Sequence, residues 1–216
     1  KFTKVLSVDL INYWKLNAEE VEYINYQQGF HCDNCEATLR SMTLAKQMMN
    51  YFESNENFNI FVKKFDKKIL EINQAGHLWL YLKDSKNHTL KEYPDIDIEN
   101  INFPDESFDV IIHSDTMEHI PNTIRAFEEC KRVLIQGGVM FFTIPIVHGR
   151  LSLKRHGMPN SFHGNYNDKF DDLVVFTEYG ADFYLELIKA GFSDIRLFTL
   201  INESSVSIAA IKTNKG

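Results

Sequence analysis

The sequence is poor in cysteine, proline and glycine, with three, five and ten of them among 216 residues. Three cysteines cannot lace a disulfide scaffold, and so sparse and odd a set suits a reducing compartment. The glycine and proline contents are far from those of a collagenous or low-complexity chain. Long apolar runs are missing too. The strongest, Val139 to Val147, falls well short of the roughly 20 residues that a membrane helix needs, and it contains Pro145. Positive charge is in deficit: 23 Lys and Arg against 30 Asp and Glu leave a net charge of −7, a sign that repels phosphate backbones and anionic headgroups. No nucleic-acid partner and no membrane span are expected. The opening Lys1-Phe2-Thr3-Lys4 is not signal-like, and with the cysteine usage it reads as cytoplasmic.

What remains is an ordinary globular composition, 44% hydrophobic and 25% charged, at a length that suits one domain with an extension. Residues 1–60 carry helical patterning, clearest from Glu36 to Phe52, where Leu39, Met42, Leu44, Met48, Met49 and Phe52 recur near helical spacing. They are expected to form an N-terminal helical lid on a domain spanning 61–216. A strand is predicted over Lys68–Ile72, followed by a turn at Gln74-Ala75-Gly76 and a helix through Leu78, Leu80 and Leu82. Further strands are predicted at Thr89–Tyr93, Asp109–Ser114, Val139–Ile144 and Val174–Phe176, then Ile195–Ile201 and Val206–Ile211 as a closing hairpin. The run Asp109-Val110-Ile111-Ile112 is of the kind a parallel sheet buries on both faces. Asn122 is placed to cap a helix through Ile124, Phe127, Val133 and Leu134, with Gly137-Gly138 as its stop, and another helix is predicted over Ala181–Ala190. Strands alternating with helices define an α/β fold: a Rossmann-like, doubly wound, mostly parallel sheet with an antiparallel C-terminal edge hairpin.

In such sheets ligands sit outside the carboxyl ends of the strands. There the sequence reads Glu71-Ile72-Asn73-Gln74-Ala75-Gly76 after the first strand and Ser114-Asp115-Thr116-Met117-Glu118-His119 after Asp109–Ser114. Between them lies Asp97-Ile98-Glu99-Asn100-Ile101-Asn102-Phe103-Pro104-Asp105-Glu106-Ser107-Phe108-Asp109. This set closely resembles the class I S-adenosylmethionine-dependent methyltransferases, by motif over about 67–145 and by strand order to about 212. The resemblance implies S-adenosylmethionine as cofactor and S-adenosylhomocysteine as product. It places Glu71, Ala75 and Gly76 around the methionine moiety, Asp97 and Ile98 at the adenine, and Ser114, Asp115 and His119 beside the sulfonium and the acceptor pocket. Glu92 is assigned to the ribose and Tyr93 to stacking near the adenosine. Two departures stand out: the first turn lacks alternating glycines, and the strand-helix unit expected between Glu92 and Asp97 does not occur in the sequence, either because the protein lacks it or because residues near Tyr93 are left out.

The stretches Thr143–Arg150, Gly157–Gly164 and Val175–Asp182 resemble bacterial methyltransferases of surface-polysaccharide biosynthesis. The implied acceptor is an oxygen of a sugar or of a sugar-linked phosphate-type group, including a phosphoramidate. A hydroxyl acceptor needs a base, for which His163 is the first candidate, then His119 and His148. An anionic acceptor needs none and would be held by Arg150, Lys154 and Arg155. A nicotinamide-dependent oxidoreductase would want G-x-G-x-x-G after the first strand, which is absent. A degenerate, non-catalytic binding module is the alternative function. Cys32-Asp33-Asn34-Cys35 has the spacing of half a zinc site, but such a site takes four ligands and only His31 is near, so no metal is expected.

Overall fold

In a computed structural model of the chain, the residues described are 1–162, 174–200 and 205–213. A six-stranded sheet forms the centre, in the order β2-β1-β3-β4-β9-β8. Its strands are β1 (Ile69–Ile72), β2 (His88–Lys91), β3 (Phe108–Ser114), β4 (Leu134–Thr143), β8 (Asp194–Thr199) and β9 (Val206–Ile211). Strands β2, β1, β3 and β4 run parallel, and β9 and β8 close the far edge antiparallel. This is the Rossmann-like arrangement, with its reversed edge pair, that the sequence predicts. Among the described residues β2 stands at the sheet edge, next to β1, with no strand outside it.

Alternation along each strand supplies both faces. Ile111, Met140 and Phe142 point to the core beneath α6 (Thr123–Val133) and α7 (Tyr184–Lys189), whereas Val110, Ile112, Val139 and Phe141 point to the core beneath α3 (Leu39–Tyr51), α4 (Phe58–Lys64) and α5 (Trp79–Leu82). Burial on both faces is why these strands read as continuous apolar runs. The stripe Leu44, Met48 and Met49 of α3 packs in the same core as Ile69 of β1 and Phe61 and Val62 of α4. Helices α3 and α4 therefore form a layer of the central domain across the boundary drawn at residue 60.

Two sequence expectations shift. The helix capped by Asn122, whose Oδ1 accepts from Arg125 N at 3.2 Å, ends at Val133, and Gly137-Gly138 lies within β4 instead of stopping the helix. The reason is close approach: a Cβ on Gly138 would stand 3.0 Å from Asp109 O and 2.9 Å from Ile135 O, so only glycine lets β4 lie against β3 there. The strand expected at Val174–Phe176 is β7 (Thr177–Gly180), which joins β5 (Ile146–Val147) and β6 (Leu153–Lys154) in a small second sheet. Onto that sheet pack α1 (Val8–Tyr13) and α2 (Ala18–Gly29), with Trp14, Leu16 and Ile24 meeting Val147 and Val175. The N-terminal segment and the chain after β4 thus build one cap.

Candidate active site

The connection leaving β1 packs α5 on one face of the sheet, and the connection leaving β3 packs α6 on the other. The order therefore reverses between β1 and β3, and a crevice at their carboxyl ends is where such sheets bind ligands. The turn after β1 is held from below by Glu71. Its carboxylate is fully buried; Oε1 accepts from Ala75 N at 2.8 Å and Oε2 lies 2.6 Å from His88 Nε2 on β2. Asn73, at φ +52°, ties the turn to the neighbouring strand, its N–H donating to Lys91 O and its Oδ1 accepting from Tyr93 N at 3.0 Å. Gly76 has φ +57°, in the left-handed region that favours glycine. Farther out, Glu92 and Tyr93 are exposed, Asp97 is exposed with Oδ1 accepting from Glu99 N at 2.9 Å, and Ile98 is buried in the core.

At the end of β3, Ser114 Oγ meets Thr143 Oγ1 at 2.7 Å and Asp115 turns at φ +49°. The first turn of α3 lies over both turns. Thr38 caps it, Ser41 Oγ accepts from His77 N at 3.1 Å, and the Arg40 guanidinium forms an ion pair with Asp115 in which each side chain is 16% exposed. The Nε of Arg40 is buried and has no hydrogen-bond acceptor among the described residues. Arg40, Ser41 and His88 escape sequence reading, because a helical arginine or serine defaults to solvent and nothing in the pattern binds α3 to a turn thirty-five residues later. The N-cap at Thr38 was the one available signal.

On the cap side, His119 Nδ1 lies 3.1 Å from Val174 O and its Nε2 lies 3.8 Å from Glu118 Oε1. His148 Nε2 meets Tyr23 OH at 2.6 Å. The three cations after β4 are each matched by a carboxylate: Arg150 to Glu20, Lys154 to Glu186, and Arg155 to Glu178. Arg155 also stands over the Tyr13 ring at 4.8 Å and donates to Pro159 O at 3.0 Å. Their charges clamp the N-terminal helices, β6 and β7 together, which corrects the expectation of an open anion-binding patch at Arg150 and Arg155. His163 lies outside the described residues. Behind the site, His113 of β3 is fully buried and stacked on Phe142 at 4.9 Å; burial drives its pKa down to about 3 against the pull of Glu118. Cys32 and Cys35 lie in a hairpin closed by the His31–Thr38 bridge, and no group of three or more metal-ligating side chains occurs among the described residues.

A mostly parallel sheet with helices on both faces, an antiparallel edge pair and a switch point between β1 and β3 defines the class: a Rossmann-like α/β domain. Residues 79–142 match the family model of the methyltransferase domain. Among solved structures, the chain is similar to a Galdieria sulphuraria protein described as a sarcosine dimethylglycine methyltransferase, at 20% identity over 48% of this chain and 46% of that one, with a TM-score of 0.36. A Bacillus halodurans C-125 protein described as a methyltransferase aligns at 17% identity over 79% and 99%, with a TM-score of 0.48. Phosphoethanolamine N-methyltransferase 2 of Haemonchus contortus, solved with phosphomonomethylethanolamine and S-adenosylhomocysteine, aligns at 13% identity over 77% and 57%, with a TM-score of 0.44. The chain spans about half the length of the first of these and under two thirds of the third. No curated protein matches the chain. No helix among the described residues is long and apolar enough to cross a membrane.

The buried, unmatched donor at this strand end suits the carboxylate of an amino-acid moiety. A buried guanidinium nitrogen without an acceptor among the described residues stands where the α3 turn meets Asp115, and the neighbouring turn is tight, with Asn73 and Gly76 both at positive φ.

Proposed function

We propose that the chain transfers the methyl group of S-adenosylmethionine to a hydroxyl oxygen of a sugar or sugar-linked acceptor, in the assembly of a surface glycan. When bound, the cofactor supplies a sulfonium methyl with a good leaving group. The protein then has to hold the acceptor oxygen in line with that methyl, exclude water and remove one proton. On this reading the turn from Glu71 to Gly76 carries the methionine moiety, Asp97 and Ile98 the adenine, Glu92 the ribose, and Tyr93 stacks outside it. Ser114 and Asp115 border the transferred methyl.

The choice of a hydroxyl acceptor over an anionic one is carried by His119. A carbonyl oxygen only accepts, so Nδ1 facing Val174 O must hold the ring proton, and Nε2 is left as the basic nitrogen. The Glu118 carboxylate 3.8 Å away stabilises the positive charge that forms when Nε2 takes the acceptor proton. An anionic acceptor would need unmatched cations, and Arg150, Lys154 and Arg155 are matched. His163 is the second candidate for the base. His148, held by Tyr23, and the Arg150 clamp shape the acceptor side of the cap.

The test is release of S-adenosylhomocysteine from S-adenosylmethionine in the presence of a panel of sugars, sugar phosphates and glycan precursors. His119→Gln keeps a hydrogen-bonding side chain at the cap but cannot take the proton; it is expected to lower kcat by roughly a hundredfold or more while leaving S-adenosylhomocysteine affinity unchanged. Turnover confined to anionic acceptors, or unchanged in His119→Gln, refutes the hydroxyl reading.

A further inference from the structure

The Arg40–Asp115 pair joins two elements that have no sequence reason to meet. Arg40 sits in the first turn of α3, and Asp115 sits at the carboxyl end of β3, its backbone at φ +49°. Both side chains are mostly covered, and the pair is closed by direct guanidinium–carboxylate contact. An exposed ion pair is worth little, and a covered one recovers its desolvation cost only when the remaining donors are satisfied. Here they are not all satisfied, since Arg40 Nε is buried without an acceptor among the described residues. A guanidinium presents two parallel N–H groups to a carboxylate, and a bidentate partner would use Nε. The next residue, Ser41, is anchored on the Gly76-His77 turn, its Oγ taking His77 N. Arg40 therefore stands between the turn after β1 and the turn after β3, at the switch point of the sheet.

We propose that Arg40 is the receptor for the α-carboxylate of the amino-acid moiety bound in this crevice, and that Asp115 keeps its place by mimicking that carboxylate. The inference rests on the S-adenosylmethionine reading of the site and adds to it a residue outside the matched segment 79–142. Binding exchanges one carboxylate for another on the same guanidinium. The guanidinium charge stays paired throughout the exchange. The consequence is specific: Asp115 competes with the ligand for Arg40, so removing its charge strengthens binding of a carboxylate-bearing ligand.

The experiment is calorimetric titration of the full chain with S-adenosylhomocysteine and with 5′-methylthioadenosine, which keeps the adenosine and thioether and lacks the amino acid. Arg40→Gln is expected to weaken S-adenosylhomocysteine by roughly tenfold or more, the loss of a charge-assisted bidentate contact, and to leave methylthioadenosine unchanged, which also reports that the variant is folded. Asp115→Asn is expected to tighten S-adenosylhomocysteine several-fold, again without effect on methylthioadenosine. Unchanged S-adenosylhomocysteine affinity in Arg40→Gln, or equal weakening of both ligands, overturns the role given to Arg40. Weaker S-adenosylhomocysteine binding by Asp115→Asn overturns the competition. Binding of neither ligand by the wild-type chain refutes the cofactor reading itself, and this inference with it.

Discussion

Replacing Gly76 with alanine tests how α3 is seated on the turn after β1. Two costs are expected. The backbone at φ +57° puts an L-residue in the left-handed region, at about 1 kcal/mol. The new Cβ would stand 2.6 Å from Ser41 Oγ, so that oxygen must move and its hydrogen bond from His77 N is lost, at about 1 kcal/mol more. Gly76→Ala should therefore lose about 2 kcal/mol of stability. Ser41→Ala removes the same hydrogen bond and the clashing atom together, because Ser41 Cβ lies 4.0 Å from the built position, an ordinary contact. It should cost about 1 kcal/mol alone, and the double variant about 2, no more than Gly76→Ala by itself. Urea unfolding of the four proteins, read as midpoint shifts at constant m, measures this coupling of about 1 kcal/mol. Additive losses, with the double variant about 3 kcal/mol down, would refute the seating of Ser41 on the turn.

The remaining predictions concern pH and the cofactor edge. His113 is held neutral with a pKa of about 3 against 6.5 for an ordinary histidine, so between those values the unfolded chain takes up a proton that the folded chain does not. The stability present above pH 6.5 should be lost as pH falls, by about 1.4 kcal/mol per unit from this group; His113→Phe should flatten the acid limb by that slope, and an unchanged limb in urea melts from pH 7 to 4 contradicts the burial effect. Asp97→Ala breaks one exposed turn hydrogen bond, to Glu99 N, and should cost under about 1 kcal/mol of stability while weakening S-adenosylhomocysteine clearly; unchanged affinity by calorimetry would remove Asp97 from the cofactor edge.

Much of the sheet was legible because its signals are local. Leu70 and Ile72, the run at Val110–Ile112 and the pair Val206–Ile211 are apolar over strand-length windows, and burial on two faces leaves no other use for such runs. The turn at Gly76 and the cap at Asn122 follow from the backbone freedom of glycine and the short side chain of asparagine. The glycine pair Gly137-Gly138 misled because a helix stop and a close strand approach use the same residue; only the nearness of Asp109 O separates them. The cations after β4 misled in the same way. Charge can be counted in sequence, but its partners Glu20, Glu178 and Glu186 are set by folding, at separations of 130, 23 and 32 residues.

By itself, then, the sequence determined the strands, their alternation with helices, the acidic strand ends and the family they resemble, since each depends on residues within about a dozen positions of one another. Only the tertiary structure decided that α3 is a layer of the central domain, that Arg40 reaches Asp115, that His88 backs Glu71, and that the cap locks its own cations. Those contacts join residues far apart in the chain, and the burial that makes them matter exists only once the chain has closed around them.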